Sequence, residues 1–146
     1  MERKQLYWED VETGQKIPGF SLKINATRIV LQVSGSQDYY PVHHDKDFAK
    51  STGLEDVFVH TRFLQTALGR VISDWTGPEG WLSKFKMKMQ KMIVPGDLMT
   101  CQGKVTAKYI KDGTHYVECD VWAENQREVA TTAQAVITLP SKGTKN

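Results

Sequence analysis

At 146 residues the chain has room for one domain of ordinary size and not for two. Lys and Arg total 19 against 17 Asp and Glu, so a net charge of +2 leaves no electrostatic footprint for nucleic acid. No apolar stretch approaches the roughly 18 residues needed to cross a bilayer. With no secretory leader visible, Cys101 and Cys119 are expected to be free, buried thiols in a reducing compartment, and a soluble cytoplasmic protein with no membrane partner is the expectation.

Residues 1–19 are expected to form an irregular lead-in ending at Ile17-Pro18-Gly19. Phe20, Leu22 and Ile24 then alternate with Ser21 and Lys23, the period of a half-buried strand. A short helix is expected from near Thr27, with Ile29, Val30 and Val33 on one side and Ser34-Gly35-Ser36 ending it. The run Asp38-Tyr39-Tyr40-Pro41-Val42-His43-His44-Asp45 follows as a loop, and residues 46–52 as one or two helical turns stopped by Gly53. Asp45 suits the N-cap of those turns. Over 61–75, Phe63, Leu64, Ala67, Leu68, Val71, Ile72 and Trp75 recur at helical spacing for about four turns, an apolar stripe wide enough to pack hard against a sheet. Gly77-Pro78 stops that helix.

Strands take over from there. Phe85, Met87 and Met89 alternate with Lys84, Lys86 and Lys88, and Pro95-Gly96-Asp97 marks a turn. Long strands are expected near 98–110, 115–124 and 128–139, with Lys111-Asp112-Gly113 and Asn125-Gln126-Arg127 as the hairpin turns between them. Residues 140–146 are expected to be a frayed tail. The order is α+β: an antiparallel sheet wrapped around one long central helix, the hot-dog arrangement, in a single domain over residues 1–146. Such a sheet leaves an exposed edge and an incompletely covered helix, so pairing of subunits is expected.

The chemistry concentrates in the Asp38–Asp45 run. It sets a carboxylate five residues before an imidazole, with Pro41 shaping the loop between them. An acid and a base held close together activate one water molecule, the requirement for adding water to, or removing it from, a polarised double bond. Against this stand the ordinary roles of Asp and His as turn caps and buried hydrogen-bonded groups. His43, His44, His60 and His115 have no Cys-x-x-Cys or His-x-x-x-His spacing, so no metal site is expected. There is no phosphate-binding or dinucleotide-binding glycine motif and no Gly-x-Ser-x-Gly.

Four blocks in order resemble the MaoC-like dehydratases, the family that includes R-specific enoyl-CoA hydratases. Asp38, Pro41, Val42, His43 and Asp45 match its first block, Ala49 and Gly53 the second, His60 the third, and Pro95-Gly96-Asp97 the last. Tyr40 replaces the usual Asn, and Thr61 stands at a position normally held by Gly. Val42-His43-His44-Asp45, Val57-Phe58-Val59 and Asp74-Trp75-Thr76-Gly77-Pro78 are most similar to the small MaoC-like subunit of steroid side-chain hydratases.

This resemblance implies an enoyl-CoA hydratase with Asp38 and His43 as the catalytic pair holding one water. It also implies the Thr61 N–H as the backbone donor to the thioester oxygen, with Tyr40, His44 and His60 lining the site. His60 is expected to orient the loop or cap the helix. No cofactor is implied beyond the CoA carried by the acyl-CoA substrate. The assembly implied is a homodimer or a heteromer with a second MaoC-like chain. A partner subunit without catalysis of its own, and a thioesterase on the same fold, are the alternatives.

Overall fold

The computed structural model describes residues 4–143. In chain order they form β1 (Lys16–Lys23), α1 (Ala26–Ser36), α2 (Lys46–Ser51), α3 (Thr61–Thr76), β2 (Trp81–Met89), β3 (Leu98–Lys111), β4 (Thr114–Glu124) and β5 (Val129–Thr138). Short 3-10 turns occupy Trp8–Asp10 and Pro41–His43. The five strands make one antiparallel sheet in the order β1-β3-β4-β5-β2. α3 lies across it, touching β1, β2, β3 and β4. This is the hot-dog arrangement that the order of elements implied.

The stripe on α3 explains the packing. Leu64, Ala67, Leu68, Val71, Ile72 and Thr76 are buried, against sheet residues such as Met99, Val105, Val117 and Ile137. Phe63 and Trp75 close the margins of the core half-buried. Cys101 and Cys119 lie in this core as free thiols, and burial pushes both up to about 12, so neither is a nucleophile at neutral pH.

Four local expectations need correction. The lead-in ends sooner than residue 19, because Lys16 and Ile17 already pair with Lys104 and Gly103. A bulge at Pro18-Gly19 interrupts β1 before pairing resumes at Phe20↔Cys101. It is a place where an edge strand tolerates a proline. Val30 is exposed rather than buried with Ile29 and Val33. The Asp38–Asp45 run contains a 3-10 turn, with Pro41 at its start, where the missing N–H costs nothing. At the C-terminal end, Ser141 and the Lys142 backbone N–H bond the Glu9 carboxylate, and the Lys142 ammonium pairs with Asp10, so residues 141–142 are anchored. The rest of the expected tail, residues 144–146, lies outside the described residues, as do residues 1–3 of the lead-in.

The turns form as their residues require. Asp112 and Gly113 both take positive φ, 50° and 76°, which a two-residue hairpin between paired Lys111 and Thr114 demands. Asp45 caps α2 by accepting the Phe48 N–H at 2.9 Å. The Pro41–His43 turn touches both α1 and α2, and Gln32 of α1 and the adjoining Asp38 meet His60 at the N-terminus of α3.

Candidate active site

That meeting point gathers Asp38, His43, His60 and Thr61 from three segments. Asp38 follows α1 directly, after Gln37 ends the helix in the left-handed region. His43 closes the 3-10 turn, buried. His60 is the N-cap of α3 and Thr61 its first residue.

Each polar contact here fixes a protonation state. Nδ1 of His43 meets the Phe58 carbonyl oxygen at 2.9 Å. A carbonyl only accepts, so Nδ1 carries the proton and Nε2 keeps its lone pair. The ring stands edge-on to Phe58 and to His60, each with centroids 4.7 Å apart. Burial lowers its pKa below the usual imidazole range, outweighing the Phe58 carbonyl, which acts the other way. Neutral His43 is therefore a proton acceptor at physiological pH.

Asp38 is about a third exposed at its side chain, open enough to reach a solvent molecule or ligand. Its Oδ2 lies 2.5 Å from His60 Nε2, and its Oδ1 accepts the Tyr40 N–H at 3.3 Å. These contacts, the His60 imidazole first, hold its carboxyl below the ordinary range, so it is ionised. No hydrogen bond joins Asp38 to His43 among the described residues; His60 stands between them.

The Thr61 N–H is one of the free donors at a helix N-terminus. Among the described residues it has no acceptor, whereas the Arg62 N–H goes to His60 Nδ1 and the Phe63 and Leu64 N–H groups to the His60 carbonyl. Positive φ among the described non-glycine residues is confined to Gln37 and Asp112, so Thr61 occupies the usual glycine position without backbone strain. Its hydroxyl points to Met89 Sδ, 3.6 Å away.

The remaining expected site residues stand further out. The Tyr40 ring is exposed and lies edge-on to Phe48; only its backbone reaches Asp38. His44 is exposed, and its Nε2 binds the Tyr39 carbonyl at 2.9 Å. Two residues that sequence reasoning missed support the cluster from α1. Gln32 Oε1 accepts the His60 N–H at 3.3 Å, and Ser36 Oγ accepts the Asp38 N–H at 3.4 Å. Their spacing of four is that of neighbours on a helix face, but nothing in the sequence says which loop that face meets. An open groove of about 630 Å³ runs beside them between α1 and α3, lined by Arg28, Leu31, Arg62 and Phe63 among others. Among the described residues no set of three His, Cys, Asp or Glu side chains has metal-binding geometry. No described helix is long and apolar enough to cross a membrane.

The site and fold can be set beside known proteins. The chain is 30% identical over 100 residues to the 3-oxo-4,17-pregnadiene-20-carboxyl-CoA hydratase beta subunit of Mycobacterium tuberculosis, covering 68% of this chain and 76% of that protein. Among solved structures it resembles the ChsH1–ChsH2 complex from the same organism, with a TM-score of 0.80 at 26% identity over 88% of this chain and 98% of the matched one. It also resembles the (R)-hydratase from A. caviae involved in PHA biosynthesis, with a TM-score of 0.79 at 25% identity over 90% and 99%. The model of the MaoC like domain matches residues 11–126, which span the whole cluster at the head of α3, and the chain therefore belongs to the MaoC-like dehydratase family.

Proposed function

We propose that this protein is an enoyl-CoA hydratase that adds water reversibly across the double bond of a trans-2-enoyl-CoA. The observation that carries the reading is the meeting of three complementary groups at the head of α3. They are an ionised Asp38, a neutral His43 with a free Nε2 lone pair, and the unpaired Thr61 N–H. Asp38 and His43 hold one water. As the water oxygen bonds C3, His43 Nε2 takes its proton and the π electrons move toward the thioester oxygen. The Thr61 N–H, at the positive end of α3, faces the charge developing on that oxygen. The proton then passes from His43 to C2, so the net change is addition of H and OH and His43 returns to its neutral form.

The groove between α1 and α3 suits such a substrate, with Leu31 and Phe63 for apolar parts and Arg28 and Arg62 for anionic ones. CoA arrives with the substrate, and the reaction as written calls for no other cofactor. A bulky, steroid-like acyl group is the favoured substrate class, since the relative from M. tuberculosis is named for a pregnadiene carboxyl-CoA. That relative is a beta subunit, which favours assembly with a second MaoC-like chain over a pair of identical ones.

The test is turnover of a short and a steroid enoyl-CoA, followed by loss of the conjugated thioester with free thiol read in parallel. We expect loss of enoyl absorbance without thiol release. Asp38→Asn and His43→Ala should each lower kcat by roughly 10² to 10⁴, the usual worth of general acid–base catalysis, with the fold retained. Full activity in both variants would refute the assignment, and thiol release would replace it with thioester hydrolysis. Inactivity alone, relieved by co-expression with a second hot-dog chain, would make this a subunit of a heteromer.

A further inference from the structure

His60 is in contact with every part of the cluster. Its Nδ1 accepts the Arg62 N–H at 2.9 Å and so caps α3. A backbone N–H only donates, so this nitrogen holds a lone pair and the proton of the neutral ring sits on Nε2. That Nε2–H points at Asp38 Oδ2, 2.5 Å away, and the imidazole is nine-tenths buried. A second proton on Nδ1 would set two donors against each other at the helix cap. The tautomer is thus dictated by the fold, and with it the direction of the hydrogen bond to Asp38.

We infer that His60 is a positioning residue: by capping α3 through Nδ1 it is locked as an Nε2–H donor, and in that form it holds the Asp38 carboxylate in register with the Thr61 N–H. One ring thereby couples the carboxylate that helps hold the water to the helix terminus that receives the thioester oxygen. The α1 helix braces both sides. Gln32 accepts the His60 N–H, Ser36 accepts the Asp38 N–H, and Gln32 Nε2 donates to Ser36 Oγ at 3.3 Å. The titratable groups facing Asp38 are His60 from the head of α3 and His43 from the 3-10 turn, while α1 presents only the neutral Gln32 and Ser36. The inference deepens the hydratase reading and shares its site, so its test includes readouts that need no turnover.

Two substitutions separate the two halves of the role. His60→Asn supplies a favoured N-cap oxygen but is too short to reach Asp38. His60→Gln places an amide near the imidazole Nε2 position and abandons the cap. In wild-type protein, ¹⁵N NMR should report His60 as the Nε2–H tautomer. The Asp38 carboxyl, followed by ¹³C NMR, should titrate below the ordinary range, move up in His60→Asn, and stay low in His60→Gln. In the hydratase assay His60→Asn should keep its Tm yet lose kcat by roughly 10 to 100-fold, as misplaced catalytic groups do. His60→Gln should recover part of that loss with a lower Tm. A His60 carrying its proton on Nδ1 in wild type, or an unmoved Asp38 titration in His60→Asn, would overturn the inference. A wild-type protein that hydrates no enoyl-CoA would instead remove the proposed reaction and leave the NMR results to decide the pairing.

Discussion

At the residue scale the two histidines of the cluster are set by single backbone groups. The Phe58 carbonyl fixes the proton of His43 on Nδ1, and the Arg62 N–H fixes that of His60 on Nε2. Because burial lowers the pKa of His43, its neutral form persists to lower pH than that of a free imidazole. We therefore expect the acidic limb of kcat/KM to have its midpoint below about pH 6.5, where an unperturbed histidine titrates, read from a pH–rate profile. The same shift has a consequence for stability. Between the unfolded and the lower folded pKa the unfolded chain binds more protons, so stability conferred by neutral His43 is lost as pH falls through that window.

The sequence made Asp38, His43 and Asp45 legible, since their spacing and the proline between them describe one loop. Its reading of His60 as a loop-orienting or capping residue agrees with the contacts of the ring. What it did not contain was the Asp38–His60 bond, because 22 positions separate the partners and neither lies on a periodic face.

At the element scale two points fix how the strands and their connections pack. The first is Asp97, in the turn that the Pro95-Gly96-Asp97 motif identified. Its buried carboxylate accepts hydrogen bonds from the Val94 N–H, Asn125 Nδ2 and Gln126 Nε2 and pairs with Arg127. Its backbone also pairs with Ile24, beside the start of α1. Asp97→Ala strips several donors at once, and we expect a loss of about 3 kcal/mol in chemical denaturation, the usual cost of breaking a buried charged network.

The second is Gly19 in the β1 bulge. A Cβ there would sit 1.8 Å from the Cys101 carbonyl oxygen, a backbone atom that cannot swing aside. Gly19→Ala should destabilise the fold by about 3 kcal/mol, at the upper end of ordinary overpacking, and circular dichroism melts would register it. A Tm within a degree of wild type would mean that the β1 edge shifts to accommodate the methyl. The bulge was not legible in advance: Ile17-Pro18-Gly19 reads equally well as a strand boundary, and only its pairing with β3 shows the strand continuing through it.

At the scale of the whole molecule, both edges of the sheet, β1 and β2, lack a neighbouring strand among the described residues. On and beside β2, Trp81 and Met92 expose apolar surface, and Leu31 does the same on α1. Isolated exposed apolar residues are normal, but a sheet with two free edges invites a partner. When a second MaoC-like chain is co-expressed we expect sedimentation to give a stoichiometric complex; purified without that partner, the chain should pair with itself at about twice the 16.6 kDa monomer mass. A strictly monomeric and fully active protein would contradict this assembly.

The order of strands and helices, the apolar face of α3 and the loop that carries Asp38, Pro41 and His43 were determined by the sequence alone, because each depends on periodicity or on spacing within a few residues. The sheet order, the continuation of β1 through its bulge and the bracing of Asp38 by Ser36 and of His60 by Gln32 were decided only by the tertiary structure. Those features depend on which distant groups meet once α3 is buried against the sheet. A buried donor or acceptor must find its partner wherever the packed chain supplies one, and local sequence does not encode that choice.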